Sequence, residues 1–344
     1  MKKQMKFLIC GFGNIAQRHF RNLRKLLPNC IINVYTHYYD NHRVFDNDLK
    51  LTYTKDLYNE YNIDAIFYDI DIAISAEEYD AVIICSLPPD RIDIAIKTAR
   101  KGFNLFIEKP LSNNMNNVKR LEKIIIDEDL KCVIGFQMRQ HPVLKRIKKL
   151  LNKDTLGSIY RIEITHSSDF KNWSKGRGKD FYAVNEEQGG GVIRSQIHEL
   201  DYLSWLFGNS FYLRYVHGDI NNNGIEDNVV ILGDICYNNE QNRKIPVIMS
   251  LDFLSNKPIR DIRIFGKKKT ILIDLIKGTI FDYKTNDIKL YNFEWNDLFL
   301  NEMEDFIKFL NDDYIKRRDS LANIYEGIAT LELALEIKSL LGGI

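Results

Sequence analysis

From Phe7 onward the chain alternates short apolar runs, glycine-bearing breaks and segments whose apolar residues recur at helical spacing. Such alternation predicts parallel strands joined by helices on both faces of one sheet. Strands are expected over residues 6–10, 31–36, 65–67, 81–86, 104–107 and 132–136, and helices over 15–27, 91–101 and 116–127. After about Arg139 the pattern changes. An amphipathic helix over 142–151 leads into β-branched and aromatic runs at 160–166, 228–237, 246–253, 259–265 and 270–276, the content of a mainly antiparallel sheet. One strong helix is expected over 192–207 and two more over 297–311 and 321–341. The expected fold is an α/β Rossmann domain, a doubly wound parallel sheet, over 1–138, followed by an α+β domain with a mainly antiparallel open sheet over 139–344.

Composition narrows the function classes. A length of 344 residues suits two domains of ~100–200 residues each. Hydrophobic residues at 45% and charged residues at 28% support a packed core. With 48 basic against 47 acidic residues the net charge is +1, which offers no field for gathering a polyanion, so nucleic acid is not expected as a partner. The basic residues of 142–151 read as the solvated face of an amphipathic helix. Five scattered cysteines without C-x-x-C spacing indicate neither a disulfide framework nor a zinc knuckle; Cys10 and Cys85 fall in strand runs, where a thiol serves as a small apolar filler. The basic opening is followed by too short an apolar run for a signal peptide, and no stretch approaches the ~20 apolar residues of a membrane span. A cytoplasmic protein without a membrane partner is expected. The seven histidines show no H-x-H or H-E-x-x-H spacing, so no metal site is expected, and no G-x-S-x-G elbow surrounds Ser195.

The most informative local pattern is Gly11-Phe12-Gly13-Asn14-Ile15-Ala16, directly after the first strand and opening a helix. Gly11 permits the tight turn, Gly13 lets a pyrophosphate approach the backbone, and Ala16 lets helix and strand pack closely. The helix start at Asn14 and Ile15 offers N–H groups and the positive dipole end to phosphates. An NAD enzyme of this type places an acidic residue at the end of strand two; here Thr36-His37 stands there, with Arg43 beyond. That pair tolerates a 2′-phosphate, so the reading leans to NADP, while Asp40 leaves NAD open.

Three further motifs follow in order: Ser86-Leu87-Pro88-Pro89 after strand four, Glu108-Lys109-Pro110 after strand five and GGGVIRSQIHELDYLSWLFG from Gly189. With Gln137-Met138-Arg139 after strand six, they make nearly the whole chain resemble the Gfo/Idh/MocA oxidoreductases. The resemblance implies a Rossmann domain, an α+β domain whose open sheet often serves oligomerisation, a nicotinamide in the cleft between them, and a homo-oligomer, dimer or tetramer. It implies that Ser86, Leu87, Pro88 and Gln137 contact the cofactor, that Glu108 holds the nicotinamide ribose and Lys109 meets the reacting hydroxyl, with Pro110 fixing that lysine in a turn for which a cis bond is one option. His198 would bind or deprotonate a sugar hydroxyl. Two positions depart from the family pattern: Ser195 stands where an aspartate is common, and Arg91 where many members carry a histidine.

Oxidising a carbinol needs a proton acceptor beside the hydroxyl and a nicotinamide beside its carbon. Lys109 and His198 are the candidate catalytic pair. Helical spacing places Ser195, His198 and Tyr202 near one face with Arg194 adjacent. Arg139, Arg194, Ser195 and Trp173 are expected at the substrate, Trp173 as a stacking surface or a loop anchor. Three arginines, Arg91, Arg139 and Arg194, together with the Gly189–Gly191 turn before a helix, point to an acidic or nucleotide-linked sugar. The expected activity is an NAD(P)-dependent oxidoreductase acting on a sugar derivative. Its alternatives are a redox-assisted glycosidase or eliminase that regenerates the cofactor, and a non-catalytic dinucleotide-sensing regulator.

Overall fold

A computed structural model describes residues 4–37, 43–46, 51–54, 56–170, 181–208, 211–221, 223–237, 243–311 and 319–341. The chain forms two compact units, Met1–Gln137 with Trp295–Ile328, and Met138–Glu294 with Ala329–Ile344.

The first unit holds strands β1 (Lys6–Cys10), β2 (Ile31–Tyr35), β3 (Arg43–Phe45), β4 (Leu51–Tyr53), β5 (Ala65–Phe67), β6 (Ala81–Ile84), β7 (Asn104–Glu108) and β8 (Cys132–Gly135). Its helices are α1 (Asn14–Leu26), α2 (Leu57–Tyr61), α3 (Ile70–Ser75), α4 (Pro88–Ala99) and α5 (Val118–Asp127). β3 and β4 pair only with each other. The other six form one parallel sheet in the order β5-β2-β1-β6-β7-β8. β1, β6 and β7 are almost wholly buried along their length, as strands covered on both faces must be. Helix α1 presents Ala16, Phe20 and Leu23, spaced at i, i+4 and i+7, to that sheet.

The expected boundary at 138/139 needs a correction, because the chain returns to the first unit at Trp295. Helix α9 of our numbering (Trp295–Asn311) places Met303, Phe306 and Ile307 in the same core as Phe7, Phe106 and Val133, and Phe106 and Phe306 meet edge to face at 5.4 Å. Ile134 N–H donates to Ala322 C=O at 2.9 Å, adding a bridge beyond β8.

The second unit contains α6 (Pro142–Asn152), α7 (Val192–Ser195) and α8 (His198–Phe207), most of α10 (Ile324–Leu341), and strands β9 (Ile159–Asp169), β10 (Phe211–Ile220), β11 (Glu226–Tyr237), β12 (Arg243–Asp252), β13 (Leu254–Gly266), β14 (Thr270–Asp274), β15 (Thr279–Asp282) and β16 (Asp287–Leu290). They form one sheet, β10-β11-β12-β9-β13-β14-β15-β16, antiparallel except for the β12–β9 pair. Ile245, Val247, Met249 and Leu251 are buried while Lys244, Pro246 and Ile248 are exposed, the alternation of a sheet packed on one face. β16 is exposed throughout, its alternating Ile288 and Leu290 included, and at four residues it is too short for that alternation to stand out in the sequence.

The single helix expected over 192–207 is two helices broken at Gln196-Ile197. The Gln196 side chain leaves the helix to donate to Ser168 Oγ at 3.1 Å and to Asp252 C=O at 2.9 Å. These partners are distant in sequence, so helical periodicity alone could not reveal the break.

Candidate functional site

In the first unit, β1 leads out to β2 on one side while β6 lies on its other side, so the carboxyl ends of β1 and β6 flank the point where a doubly wound sheet binds ligands. Gly11 sits there with φ +85°. Its N–H donates to Tyr35 C=O at 2.8 Å, and a Cβ on it would lie 2.9 Å from Ser86 N, so only glycine lets the two strand ends come this close. Gly13 starts α1 without a side-chain cap, and a Cβ placed on it would meet nothing within 4 Å. The helix N-terminus is thus uncovered within its unit. Ile15 N–H is already engaged by Asn14 Oδ1 at 2.7 Å.

Ser86 Oγ and Gln137 Oε1 are buried and have no hydrogen-bond partner among the described residues. Both are residues expected at the cofactor, and with the open turn at Gly13 they fit a dinucleotide that would supply partners. Leu87 caps α4 and is exposed, and Pro88 is buried at the first helical position. Thr36 is buried, with its N–H on Phe67 C=O at 3.0 Å. His37 is exposed and lies 3.1 Å from the Tyr35 hydroxyl. That hydroxyl is pushed above its ordinary pKa by burial first, then by Cys10, Asp90, Asp69 and Asp71, so carboxylates gather near the end of β2. Asp40 lies outside the described residues.

Glu108 ends β7, and its carboxylate turns inward. Oε1 is 2.7 Å from His19 Nε2 on α1, and Oε2 accepts from the Lys109 N–H at 3.1 Å. Burial pushes this carboxyl up, but the His19 hydrogen bond and charge, then Arg91 and Lys109, outweigh it and hold it below the usual range. Within the protein the Glu108 carboxylate is held by His19 and by the Lys109 N–H. The Lys109–Pro110 bond is cis. Arg91, expected beside an anionic ligand, is buried and donates to Ser86 C=O at 2.8 Å, to Glu108 C=O at 2.8 Å and to Pro110 C=O.

The second unit corrects the electropositive picture further. Arg139 is buried and binds Asp201 bidentately, Nε to Oδ2 at 2.9 Å and Nη2 to Oδ1 at 2.6 Å. Arg194 is buried, with Nη2 on Glu186 Oε2 at 2.6 Å and Nε on Gly190 C=O at 2.9 Å. The glycine turn already holds an anion of the protein's own: Glu226 lies where a Cβ on Gly191 would stand, accepts from Ile193 N–H at 3.3 Å, and pairs with Lys338 at 3.0 Å. None of the three arginines nor the turn is left as the simple anion receptor expected from the sequence.

Ser195 and His198 are buried on either side of the helix break. Next to His198, Glu199 is fully buried, with Oε1 2.7 Å from Arg260 Nε and 2.9 Å from His166 Nδ1. Burial raises its pKa, but Arg260 and His166 outweigh this and hold it at about 2. Trp173 lies outside the described residues. Among the described residues no cluster of metal-ligating side chains occurs, and no helix is long and apolar enough to cross a membrane.

Sequence reasoning missed His19, Glu226, Glu199 and Asp201. His19 had a signal, three residues after Ala16 on a helix already read as facing the sheet. The carboxylates had none, because their partners lie 33 to 112 residues away in the chain.

Two family profiles match the chain. One, described as "Oxidoreductase family, NAD-binding Rossmann fold", covers residues 5–136, and the other, "Oxidoreductase family, C-terminal alpha/beta domain", covers 148–336. The chain is 24% identical over 224 residues to the scyllo-inositol 2-dehydrogenase (NAD(+)) of Bacillus subtilis, a stretch spanning 65% of this chain and 60% of that protein. It is 21% identical over 315 residues to the myo-inositol 2-dehydrogenase of Thermotoga maritima, spanning 88% of this chain and 87% of that one. Among solved structures, the WlbA dehydrogenase from Bordetella pertussis in complex with NADH and UDP-GlcNAcA superposes with a TM-score of 0.78 at 16% identity, covering 99% of this chain and 97% of that one.

Proposed function

Since the chain belongs to the Gfo/Idh/MocA oxidoreductase family, we propose that it transfers a hydride between a nicotinamide cofactor and a secondary alcohol carbon of a cyclic polyol or sugar derivative. The observation that carries this reading is the Gly11–Ala16 turn, open at Gly13, where the carboxyl ends of β1 and β6 meet, in the same unit as the clamped Glu108-Lys109-Pro110 turn. Gly11, Gly13, Asn14, Ile15, Ser86, Leu87, Pro88 and Gln137 would hold the dinucleotide, whose nicotinamide supplies the hydride acceptor or donor when bound. Lys109 is assigned the proton transfer at the reacting oxygen, and His198 the binding and orientation of the hydroxyl. We assign NAD(H) over the NADP suggested by Thr36-His37, in keeping with the NAD(+)-dependent name of the Bacillus relative and the NADH bound to the Bordetella dehydrogenase.

A neutral ring is the favoured substrate, because Arg91, Arg139 and Arg194 are engaged by internal acceptors and inositol dehydrogenases are among the relatives matched over sequence. An acidic or nucleotide-linked sugar is the second reading, supported by the likeness to the Bordetella dehydrogenase solved with UDP-GlcNAcA. One assay separates them: NAD and NADP are each incubated with inositols, free sugars, sugar acids and UDP-sugars while absorbance of the reduced nicotinamide is followed. Reduction of NAD by an inositol or neutral sugar with the highest kcat/KM is expected. A higher value for every acidic or nucleotide-linked sugar would favour the second reading. Product formation without net cofactor reduction would favour the glycosidase or eliminase, and cofactor binding without any turnover the regulator.

We also assign a homo-oligomer to the open face of the second unit's sheet. Tyr215, Leu232 and Ile248 stand side by side across three strands there, each exposed, a row of apolar groups that a second subunit would cover. Mass photometry reads the stoichiometry directly, and a monomer at micromolar concentration would sink this assignment.

A further inference from the structure

We infer that Arg91 is a positioning residue for Lys109, acting through the backbone on both sides of that lysine. The inference rests on reading Lys109 as the proton-transfer group. Arg91 lies in the first turn of α4, and one guanidinium spans three carbonyls. Nε donates to Ser86 C=O at 2.8 Å, at the end of the β6 strand run, while Nη1 donates to Glu108 C=O at 2.8 Å and to Pro110 C=O. The two latter groups bracket Lys109 in the chain. From the opposite side the Lys109 N–H is held by Glu108 Oε2 at 3.1 Å, and the same carboxylate is anchored through Oε1 by His19 at 2.7 Å. The peptide group before Lys109 and the one after Pro110 are therefore tied to α4, and the Lys109 N–H to α1 by way of Glu108, so the Lys109 side chain extends from a fixed base.

The residue type fits this task. A guanidinium is planar, stays charged at any working pH and carries donors in a rigid fork, so it can serve several carbonyls at fixed angles; an ammonium is a point charge and an imidazole has two donors at most. Sinking a permanent charge to 5% exposure costs free energy unless its donors are satisfied. Three of its acceptors are the backbone carbonyls of Ser86, Glu108 and Pro110, groups that gain geometry from the contact and have no charge to neutralise. The histidine implied by the family resemblance at this place could not reach all three carbonyls in this arrangement. Arg91 is thus one specific solution to holding the Lys109 turn against the loop that follows β6.

The test uses the full-length protein as Arg91→Lys, which keeps the charge and loses the fork, and Arg91→Ala, with and without millimolar methylguanidinium. With NAD and the best substrate of the wild type, kcat is expected to fall at least about tenfold in both variants, because misplacing a reacting group by a fraction of an ångström costs this much or more. KM for NAD should change by less than about threefold, and methylguanidinium should restore part of the rate of the Ala variant. A second readout needs no turnover: competitive acetylation followed by peptide mass spectrometry reports the reactivity of Lys109 relative to the other lysines. That ratio should shift at least about threefold in Arg91→Lys, with the other lysines unchanged. Wild-type kcat and an unchanged Lys109 reactivity overturn the inference. So does a loss in which kcat and KM for NAD move together without rescue. Should Arg91→Ala fail to fold, Arg91→Lys carries the same outcomes. A wild type inactive on every substrate would reject the dehydrogenase reading alone, and the acetylation ratio would still decide the role of Arg91.

Discussion

Lys109 illustrates how one side chain can be separated from its surroundings. Its backbone is fixed by Glu108 and Arg91, so Lys109→Ala should leave the turn in place and remove only the ammonium. A fall in kcat of about 10²–10⁴-fold with the NADH dissociation constant nearly unchanged is expected from steady-state kinetics and fluorescence titration. A near-normal rate would return Lys109 to a structural role. At Arg139 the arithmetic is one of stability. Its bidentate partner Asp201 is buried with it, so Arg139→Met strands a carboxylate and should cost about 3–5 kcal/mol in urea unfolding. Arg139→Met combined with Asp201→Leu should recover more than half of that loss, since removing both charges leaves nothing to desolvate. Equal losses for the single and double variants would show that packing, rather than the stranded charge, dominates.

Elements show where local pattern reaches its limit. The strand-turn-helix of β1 and α1 was fully legible, because its signal is local: Gly11 turns the chain at φ +85° and Gly13 opens the helix directly after the strand. Gly11→Ala should abolish NADH binding measured by calorimetry, since φ +85° and a Cβ 2.9 Å from Ser86 N leave no room for the methyl; retained affinity would place the cofactor elsewhere. The six strands of the parallel sheet were legible for the same reason, each being an apolar run of its own. The second glycine turn misled. Gly189–Gly191 reads as an anion cradle, yet the anion is Glu226, thirty-five residues on, and sequence spacing carries no record of such a meeting. The arginines of the expected electropositive pocket failed likewise, because nothing in Arg139 or Arg194 tells which carboxylate will claim it. The break between α7 and α8 was hidden by an unbroken helical pattern, since the cause is two hydrogen bonds from Gln196 to other strands.

Across the whole molecule, acid should weaken the second unit in two steps. Buried His141 donates from Nε2 to Leu275 C=O at 3.0 Å and is held down to about 4, chiefly by burial, against an ordinary 6.5. Its folded pKa is depressed, so the native state refuses a proton the unfolded chain accepts; stability is complete above pH 6.5 and declines as pH falls toward 4. Glu199 follows at lower pH, its contribution complete above 4.5 and lost as pH falls through about 2. Melting temperatures recorded from pH 7 to 4 should therefore slope downward before the carboxylates titrate, and His141→Gln should flatten that first slope. An unchanged slope in this variant would assign it to other groups. The discontinuous first unit has a consequence during synthesis. Its core needs Met303, Phe306 and Ile307 from α9, so a ribosome that has released every strand of the first sheet must still translate Met138–Glu294 of the second unit before that core is closed. A stalled nascent chain ending before Trp295 should then expose Phe106 and Val133 to protease and to chaperones, and this unit, though first to emerge, should stay sensitive until α9 has been made.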